Sequence, residues 1–316
     1  KVFIYHDKMA GRNSAEKREQ IAQRVRKKFA DAAVITSPES VSWLLNIRGS
    51  DLLHTPVPLC YVIIRADSKV TWFISPDRVS ADIRDHLGTD VEVLAPATFI
   101  DAIKALGTEK TGVLVPDTSP AMVSELVKQS GGQVINGSDP CELPKACKNT
   151  AELAGIRAAH IRDGAALSSF LCWLSKSVLE GAVDELEAAE KLYKFRAKDK
   201  KFRGPSFDTI SAAGSNGAIV HYRANKKTNK ELTSSSLYLV DSGAQYMDGT
   251  TDVTRTVAIG VPTDEMRDRF TRVLKGHIAI ATARFPAGTS GGALDSFARR
   301  SLWEIGLDFD HGTGHG

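Results

Sequence analysis

The segment Tyr238–Gly260, YLVDSGAQYMDGTTDVTRTVAIG, constrains the fold of this chain more than any other. Two apolar runs, Leu237–Val240 and Val253–Ile259, flank a turn-rich centre, which is typical of a β-hairpin. Asp241 follows the first run and Asp252 precedes the second. A carboxylate embedded in an apolar strand is costly unless a cation or a hydrogen-bond network compensates it. The pair of aspartates therefore indicates a shared cation.

The position of the turn decides whether the two aspartates can meet. At about 3.3 Å per residue, a two-residue turn at Asp248-Gly249 leaves their positions about 13 Å apart on one face. A loop centred on Tyr246-Met247 instead places Asp241 directly opposite Asp252, about 5 Å away. A metal site requires the wider or shifted loop. The alternative is a hairpin whose aspartates cap turns or accept hydrogen bonds from backbone amides.

The segment His311–Gly316, HGTGHG, adds imidazole to these carboxylates. Its glycines argue against a helix and favour a strand or tight turn, and in an extended segment His311 and His315 share a face. Carboxylate and imidazole ligands together suit Mn, Fe, Co or Zn. The alternative is a pair of structural or solvated histidines, and the upstream aspartates favour the metal interpretation.

Length, composition and charge narrow the class of protein. A chain of 316 residues predicts about two domains, and 42% hydrophobic residues are enough to form real cores. The net charge of +3 gives no argument for nucleic-acid binding, and no apolar run approaches the ~20 residues of a membrane span. The four cysteines lack CxxC spacing, so free thiols are expected, although Cys141 and Cys147 could pair in an oxidising compartment.

The first half of the chain alternates between strand-like and helical patterns, which predicts a mixed α/β domain with helices packed on a sheet. The predicted strands are Ala33–Ile35, Leu59–Ile64, Val70–Ile74, Val91–Leu94, Gly112–Val115 and Gln133–Ile135. The predicted helices are a basic one from an N-cap at Ser14 to about Phe29, followed by Glu39–Leu45, Asp77–Leu87, Thr98–Leu106 and Pro120–Gln129. Asn136–Pro144 is rich in turn residues and predicts the domain boundary.

The second half begins with helices and continues with short strands. Asn149 and Glu152 form a capping box that predicts a long helix ending at Gly181, and Asp184 with Glu187 repeats the pattern before a second helix. The hairpin follows, and then a helix over Thr263–Arg284.

The motifs DSGAQYMDGTTDVTRT and HGTGHG resemble the metal-site motifs of the Xaa-Pro aminopeptidases of the three-domain type (aminopeptidase P). Further similarity runs through SWLLNIRGSDLLHTPV, KACKNTAELAGIRAAHIRDGAAL, SNGAIVHYRAN and LKGHIAIATARFPAGT. The resemblance implies a creatinase-like α/β domain over residues 1–143 and a pita-bread catalytic domain, α+β in class, over residues 144–316. It also implies a metallopeptidase that hydrolyses the N-terminal Xaa-Pro bond with water activated by two divalent metal ions, expected to be Mn²⁺.

The resemblance also assigns roles to individual residues. It implies that Asp241 chelates one metal ion, that Asp252 bridges both, and that His315 completes the set of the first. His221 and His311 match histidines that face the substrate. Thr254, two residues beyond Asp252, is a plausible partner for the ligands.

The family has two further glutamate ligands and a glutamate general base that do not occur in the matching part of this chain. We therefore expect an internal fragment of a longer, C-terminally continued protein, inactive as residues 1–316 alone. The alternatives are a prolidase, which cleaves only dipeptides, and a non-catalytic pseudo-enzyme or dimerisation module. The expected partners are peptides with proline second and another copy of the chain in a homodimer. A cytoplasmic protein that binds neither nucleic acid nor membrane is expected.

Overall fold

The computed structural model describes residues 1–181 and 183–315, which pack as two compact units. The first unit contains residues 1–163 with the short segments 201–206 and 244–251, and the second contains the other described residues. The domain boundary predicted between residues 143 and 144 stays a prediction, since one long helix contributes to both units. No helix among the described residues combines the length and apolar character needed to cross a membrane.

The first part of the chain alternates between strands and helices. In order these are β1 (Val2–Ile4), α1 (Asp7–Ala10), α2 (Ser14–Lys27), β2 (Ala32–Ile35), α3 (Pro38–Leu45), β3 (Ile47–Gly49), β4 (Tyr61–Arg65), β5 (Val70–Phe73), α4 (Ala81–Leu87), β6 (Val91–Leu94), α5 (Phe99–Thr108), β7 (Gly112–Pro116), α6 (Ala121–Gln129), β8 (Gln133–Gly137) and α7 (Glu142–Ala146). The predicted strands and helices are present, except that the first part of Asp77–Leu87 is a short 3-10 turn. The strands β1 and β3, which the sequence pattern did not predict, pair with each other.

One sheet organises this first unit, with strand order β6-β5-β4-β2-β7-β8. The pairs β2–β7, β5–β6 and β7–β8 are parallel, and β2–β4 and β4–β5 are antiparallel. Alternate side chains of these strands face opposite ways and fill two buried clusters, one packed with α2, α3 and α4 and the other with α5 and α6. The architecture is the mixed α/β sheet that the alternating pattern predicts.

The start of α2 differs in detail from the prediction. Its N-cap is Asn13, whose side chain accepts a hydrogen bond from the amide of Glu16, while the Glu16 carboxylate accepts one from the Asn13 amide. Ser14 is buried instead, and its hydroxyl donates to the carbonyl of Leu44. Both residues are good caps, so only the packing of Ser14 against α3 decides between them.

The second part of the chain contains α8 (Thr150–Glu180), α9 (Glu185–Arg196), β9 (Phe202–Pro205), β10 (Ile210–Ala213), β11 (Ser236–Ser242), β12 (Ala244–Tyr246), β13 (Gly249–Thr250), β14 (Val253–Ile259), α10 (Asp264–Ala281) and α11 (Gly291–Trp303). Both predicted caps are confirmed: Asn149 accepts from the amides of Ala151 and Glu152, and Asp184 accepts from the amide of Glu187. The helix α11 was not predicted.

A three-stranded antiparallel sheet, with order β10-β11-β14, forms the centre of the second unit. Tyr238 and Val240 of β11 are buried in one apolar cluster with side chains of α8 and α9. Because successive side chains of a strand point to opposite faces, Asp241 lies on the other face, away from these helices. This alternation explains how a carboxylate can follow an apolar run without entering the apolar core.

Candidate metal centre

The backbone ladder of the hairpin positions Asp241. In the β11–β14 pair, Asp241 lies opposite Thr254 and Ser242 lies opposite Val253. On its other side, Asp241 pairs with Ile210 of β10. The aspartate is thus held in a central strand, and its backbone position is fixed from both sides.

The turn of the hairpin lies between the two positions considered from the sequence. Tyr246 pairs with Gly249, so Met247 and Asp248 form the turn. With this register, Asp241 is diagonal to Asp252 across the hairpin, two residues from the directly opposite position. Diagonal neighbours are about 7–8 Å apart. Two carboxylates at this separation can still reach a shared cation, but they are farther apart than in the direct pairing that the metal interpretation required. The hairpin thus has neither of the two turns considered from the sequence, and a diagonal arrangement replaces the direct pairing of Asp241 with Asp252.

Tertiary contacts of the first unit fix this turn. The carboxylate of Asp248 is buried and forms ion pairs with Arg162 and with Lys201, whose Nζ lies 2.6 Å from Oδ2. Gly249 packs against α8, and a Cβ added there would lie 3.0 Å from the Cα of Ile156. These contacts keep Asp248 in the turn, beside the side chains of Arg162 and Lys201, and keep Gly249 packed against α8.

The electrostatics of Asp241 set it apart from ordinary surface aspartates. Burial raises the pKa of its carboxyl above the usual value, and the negative charge of Asp252 raises it further. A hydrogen bond from Thr254 and the nearby imidazoles of His221 and His315 lower the pKa. Oδ1 of Asp241 is buried, and no group in the described part of the chain donates a hydrogen bond to it.

His315 lies beside Asp252. Its Nε2 atom is 3.6 Å from Oδ2 of Asp252, and both side chains are largely exposed. The structure thus brings together the aspartate after the turn and the second histidine of the glycine-rich segment, which are 63 positions apart in the sequence.

His311 lies on the same segment but makes different contacts. Its Nδ1 atom is 2.7 Å from the carbonyl oxygen of Gly312, and its ring centroid is 4.7 Å from that of Phe309. His311 and His315 line one open cavity together with residues of α10 and α11.

Arg299 of α11 holds this C-terminal segment in place. Its guanidinium contacts the carboxylates of Asp295 and Asp308, at 2.6 Å and 2.8 Å, and donates to the backbone carbonyls of Phe309 and His311. The sequence pattern does not single out Arg299, because one arginine among many gives no signal until its partners are known.

His221 has an unusual backbone conformation. Its φ angle is +53°, in the left-handed region that few residues other than glycine adopt. Its side chain is exposed, whereas the side chain of Tyr222 is buried. The charge of His221 lowers the pKa of the Asp241 carboxyl, as described above.

The chemical types of these side chains suit a divalent cation, but their arrangement in the structure does not form a complete site for one. Carboxylate oxygens and imidazole nitrogens are the ligands of hard and borderline metal ions, and the buried, unpartnered Oδ1 of Asp241 fits a cation in particular. Within residues 1–181 and 183–315, however, no three His, Cys, Asp or Glu side chains converge closely enough to form a complete metal site. The set Asp241, Asp252 and His315 therefore stays a prediction.

Comparison with known proteins shows which family the chain resembles. Residues 1–152 match the creatinase/prolidase N-terminal domain, and residues 154–316 match metallopeptidase family M24. Proteins named "Probable Xaa-Pro aminopeptidase P" from Paracoccidioides lutzii and Neosartorya fischeri are 41% and 43% identical over the whole chain. The chain covers 53% and 50% of them, so it spans about half the length of the curated relatives it matches.

Solved structures agree with this placement. The X-prolyl aminopeptidase of Caenorhabditis elegans, described as a cytosolic enzyme with a di-nuclear active site, matches all of this chain over 52% of its own length, with a TM-score of 0.94 and 35% identity. The Xaa-Pro dipeptidase of Bacillus anthracis, at 22% identity and a TM-score of 0.74 over 96% of this chain and 82% of its own, shows the shared fold. The predicted fold class is thereby confirmed, and the chain belongs to metallopeptidase family M24.

Proposed function

We propose that the complete protein containing this chain is a metal-dependent aminopeptidase that releases an N-terminal residue when proline follows it. The observations that carry the proposal are the buried, unpartnered Oδ1 of Asp241 and the 3.6 Å contact between Asp252 and His315, in a chain similar over its whole length to aminopeptidases of this name. The resemblance also reaches the N-terminal domain, which matches residues 1–152.

The three ligands divide the task of holding two cations. Asp241 occupies a central strand and one of its carboxylate oxygens is buried without a hydrogen-bond donor among the described residues, so this carboxylate would hold a cation. Asp252 is exposed and, as the resemblance implies, would serve both cations, and His315 would contribute one imidazole nitrogen. When bound, two divalent ions polarise a peptide carbonyl and lower the pKa of water toward neutrality.

The two other histidines are proposed to act on the substrate. A protonated or neutral imidazole at His221 or His311 can donate a hydrogen bond to the oxyanion that develops at the scissile carbonyl. Removing one such donor typically costs about 2.7–4 kcal/mol of transition-state stabilisation. The left-handed backbone of His221 supports this role, because strained residues cluster at functional sites.

The remaining details of the proposal come from the resemblance and the relatives. Mn²⁺ is the expected metal, and the di-nuclear site described for the Caenorhabditis elegans protein supports two ions. That protein is also described as cytosolic, which supports a cytoplasmic location here. A homodimer is proposed from the resemblance alone, and the inactivity of residues 1–316 by themselves stays a prediction.

The test is hydrolysis by the complete gene product after chelation and add-back of single metals. Cleavage of an Xaa-Pro-Xaa tripeptide but not of an Xaa-Ala-Xaa tripeptide, restored by Mn²⁺, is expected. Cleavage confined to Xaa-Pro dipeptides would favour a prolidase, and no cleavage with any metal would favour a pseudo-enzyme. Full activity in excess chelator would remove the metal from the proposal.

A further inference from the structure

Glu185 is a fully buried carboxylate in the second unit. It is the first residue of α9, and its side chain is 0% exposed. A buried carboxylate is tolerated only when hydrogen bonds or charges replace the water it has lost. Where those hydrogen bonds come from therefore shows what this carboxylate organises.

The donors all come from one stretch of chain, residues 213–230. Oε1 accepts from the amide of Ala213 at 2.7 Å and from Nδ2 of Asn216 at 2.8 Å. Oε2 accepts from the phenol of Tyr222 at 2.7 Å and from the amide of Lys230 at 3.2 Å. Both oxygens are saturated, so Glu185 ties the beginning, the middle and the end of this stretch to a single point.

The middle contact is next to a proposed site residue. Tyr222 follows His221 directly, and its phenol is buried among Glu185, Asn216 and Thr228. Burial raises the pKa of the Tyr222 phenol, and the Glu185 carboxylate raises it further, so the phenol stays protonated and donates.

The backbone at His221 needs such an anchor. A non-glycine residue at a φ of +53° costs on the order of 1 kcal/mol and persists only where neighbouring contacts determine the conformation. The exposed imidazole of His221 has no hydrogen bond of its own in the described chain that would hold it. The buried phenol one residue later fixes the direction of the chain at this point.

We propose that Glu185 is a positioning residue for substrate binding, which acts through the phenol of Tyr222 to hold the imidazole of His221 in place. The inference rests on the proposed function, in which His221 contacts the substrate. It assigns to α9 a role in the reaction.

The test is a double-mutant cycle on the complete protein with an Xaa-Pro-Xaa tripeptide. Tyr222→Phe removes only the hydroxyl and is expected to lower kcat/KM by about tenfold, in the range typical of residues that orient a site residue. In a His221→Ala background the same change is expected to have little further effect, because both act through one imidazole. Additive effects would overturn the proposal. Glu185→Gln, which keeps the shape of the side chain, is expected to follow the same pattern.

Tyr238→Phe is the matched control. The Tyr238 phenol is also buried in this unit and bonds the Ser211 hydroxyl at 2.7 Å. Tyr238 pairs with Ala213 in the β10–β11 ladder, but among the described residues its phenol forms no hydrogen bond with residues 213–230. It is expected to lower stability as Tyr222→Phe does and to leave kcat/KM unchanged in both backgrounds. An equal loss of kcat/KM in Tyr238→Phe would reduce Tyr222 to a structural role and overturn the proposal.

A second readout separates this inference from the proposed function. Arg223, Lys226 and Lys227 lie in the exposed part of the stretch, so trypsin reports on its order without any peptidase activity. Tyr222→Phe is expected to speed tryptic cleavage there, and Tyr238→Phe is not. Unchanged cleavage would overturn the anchoring, whereas faster cleavage in a protein that hydrolyses no Xaa-Pro peptide would contradict only the proposed function.

Discussion

The two halves of the candidate metal centre are held in different ways. Asp241 lies in the central strand β11, which pairs with β10 on one side and with β14 on the other. His311 and His315 lie in a segment outside regular structure, which the side chain of Arg299 holds through its carboxylate and carbonyl contacts. One half therefore depends on the backbone ladder, and the other depends on side-chain contacts, chiefly those of Arg299.

Because the two halves are held differently, different substitutions should disrupt them. A substitution in the hairpin leaves the ladder intact, so it changes the chemistry of a ligand without moving it. A substitution of Arg299 leaves the ligands chemically intact but releases the segment that carries them.

Asp241→Asn is expected to have the largest effect. The amide keeps the shape and position of the side chain but removes the negative charge that a dication requires. We expect metal affinity to fall by more than the loss of about 10–100-fold that is typical of residues that contact only the metal ligands. The affinity is measured by titrating metal into the complete protein after chelation. Circular dichroism should be unchanged, and Asp264→Asn, in the exposed first turn of α10, should bind metal normally. Unchanged affinity would remove Asp241 from the ligands.

Arg299→Ala tests the other half. The change removes the contacts to Asp295, Asp308 and the two backbone carbonyls, so hydrogen exchange of residues 308–313 is expected to speed up. Peptidase activity of the complete protein is expected to fall by about 10–100-fold while exchange in the hairpin stays slow.

Arg300→Ala is the control for this prediction. Arg300 is the next residue, its side chain is 79% exposed, and its contact with Glu304 is 3.8 Å long. It should change neither exchange nor activity. If Arg299→Ala leaves the segment as ordered as Arg300→Ala does, the contrast between the two halves is wrong.

Thr254→Val sharpens the comparison within the hairpin. The change keeps the size of the side chain but removes the hydroxyl that hydrogen-bonds to the Asp241 carboxylate. A loss of about tenfold in metal affinity is expected, at the low end for a partner of a ligand. Thr256→Val, two residues along the same strand face, should have no effect, and equal losses in the two variants would show that the strand face and not the hydroxyl is responsible.

The smallest expected effect is a pH dependence of the C-terminal segment. The Trp303 and Arg299 side chains lower the pKa of Asp308, and Arg299 and Thr313 lower that of Asp295. Carboxyls with a pKa below the ordinary 3.8 stabilise the segment fully above that pH and lose this contribution as the pH falls through the lowered value. Trp303 donates to Asp308, so its fluorescence should change below pH 3.8.

The difference between this protein and its Trp303→Phe variant isolates that signal from the other tryptophans. Arg299→Ala should move the transition to higher pH, toward the ordinary carboxyl value. A transition that Arg299→Ala leaves in place would contradict the role of the guanidinium.

Local patterns in the sequence determined most of the secondary structure. Alternating apolar runs predict β2 and β4–β8, and the capping pairs at Asn149 and Asp184 predict the starts of α8 and α9. Such features depend on neighbours a few residues apart, which the sequence shows directly. The strands β1 and β3 were not predicted, because strands of three residues that pair across 45 positions carry little sequence pattern of their own.

The sequence also determined which side chains belong to the candidate site. Asp241 and Asp252 stand out because each carboxylate adjoins an apolar strand, and the glycines around His311 and His315 exclude a helix there. These motifs also carry the resemblance to one family, and the ligand roles that the resemblance implies stay predictions.

Only the tertiary structure decided how these residues are arranged. The hairpin register depends on the ion pairs of Asp248 with Arg162 and Lys201, and both of these residues are far from Asp248 in the sequence. Glu185 looks like any acidic residue in a first helical turn until its donors from residues 213–230 are seen. The physical reason is the same in each case: a buried charge is stable only beside specific partners, and folding, not local sequence, brings those partners to it.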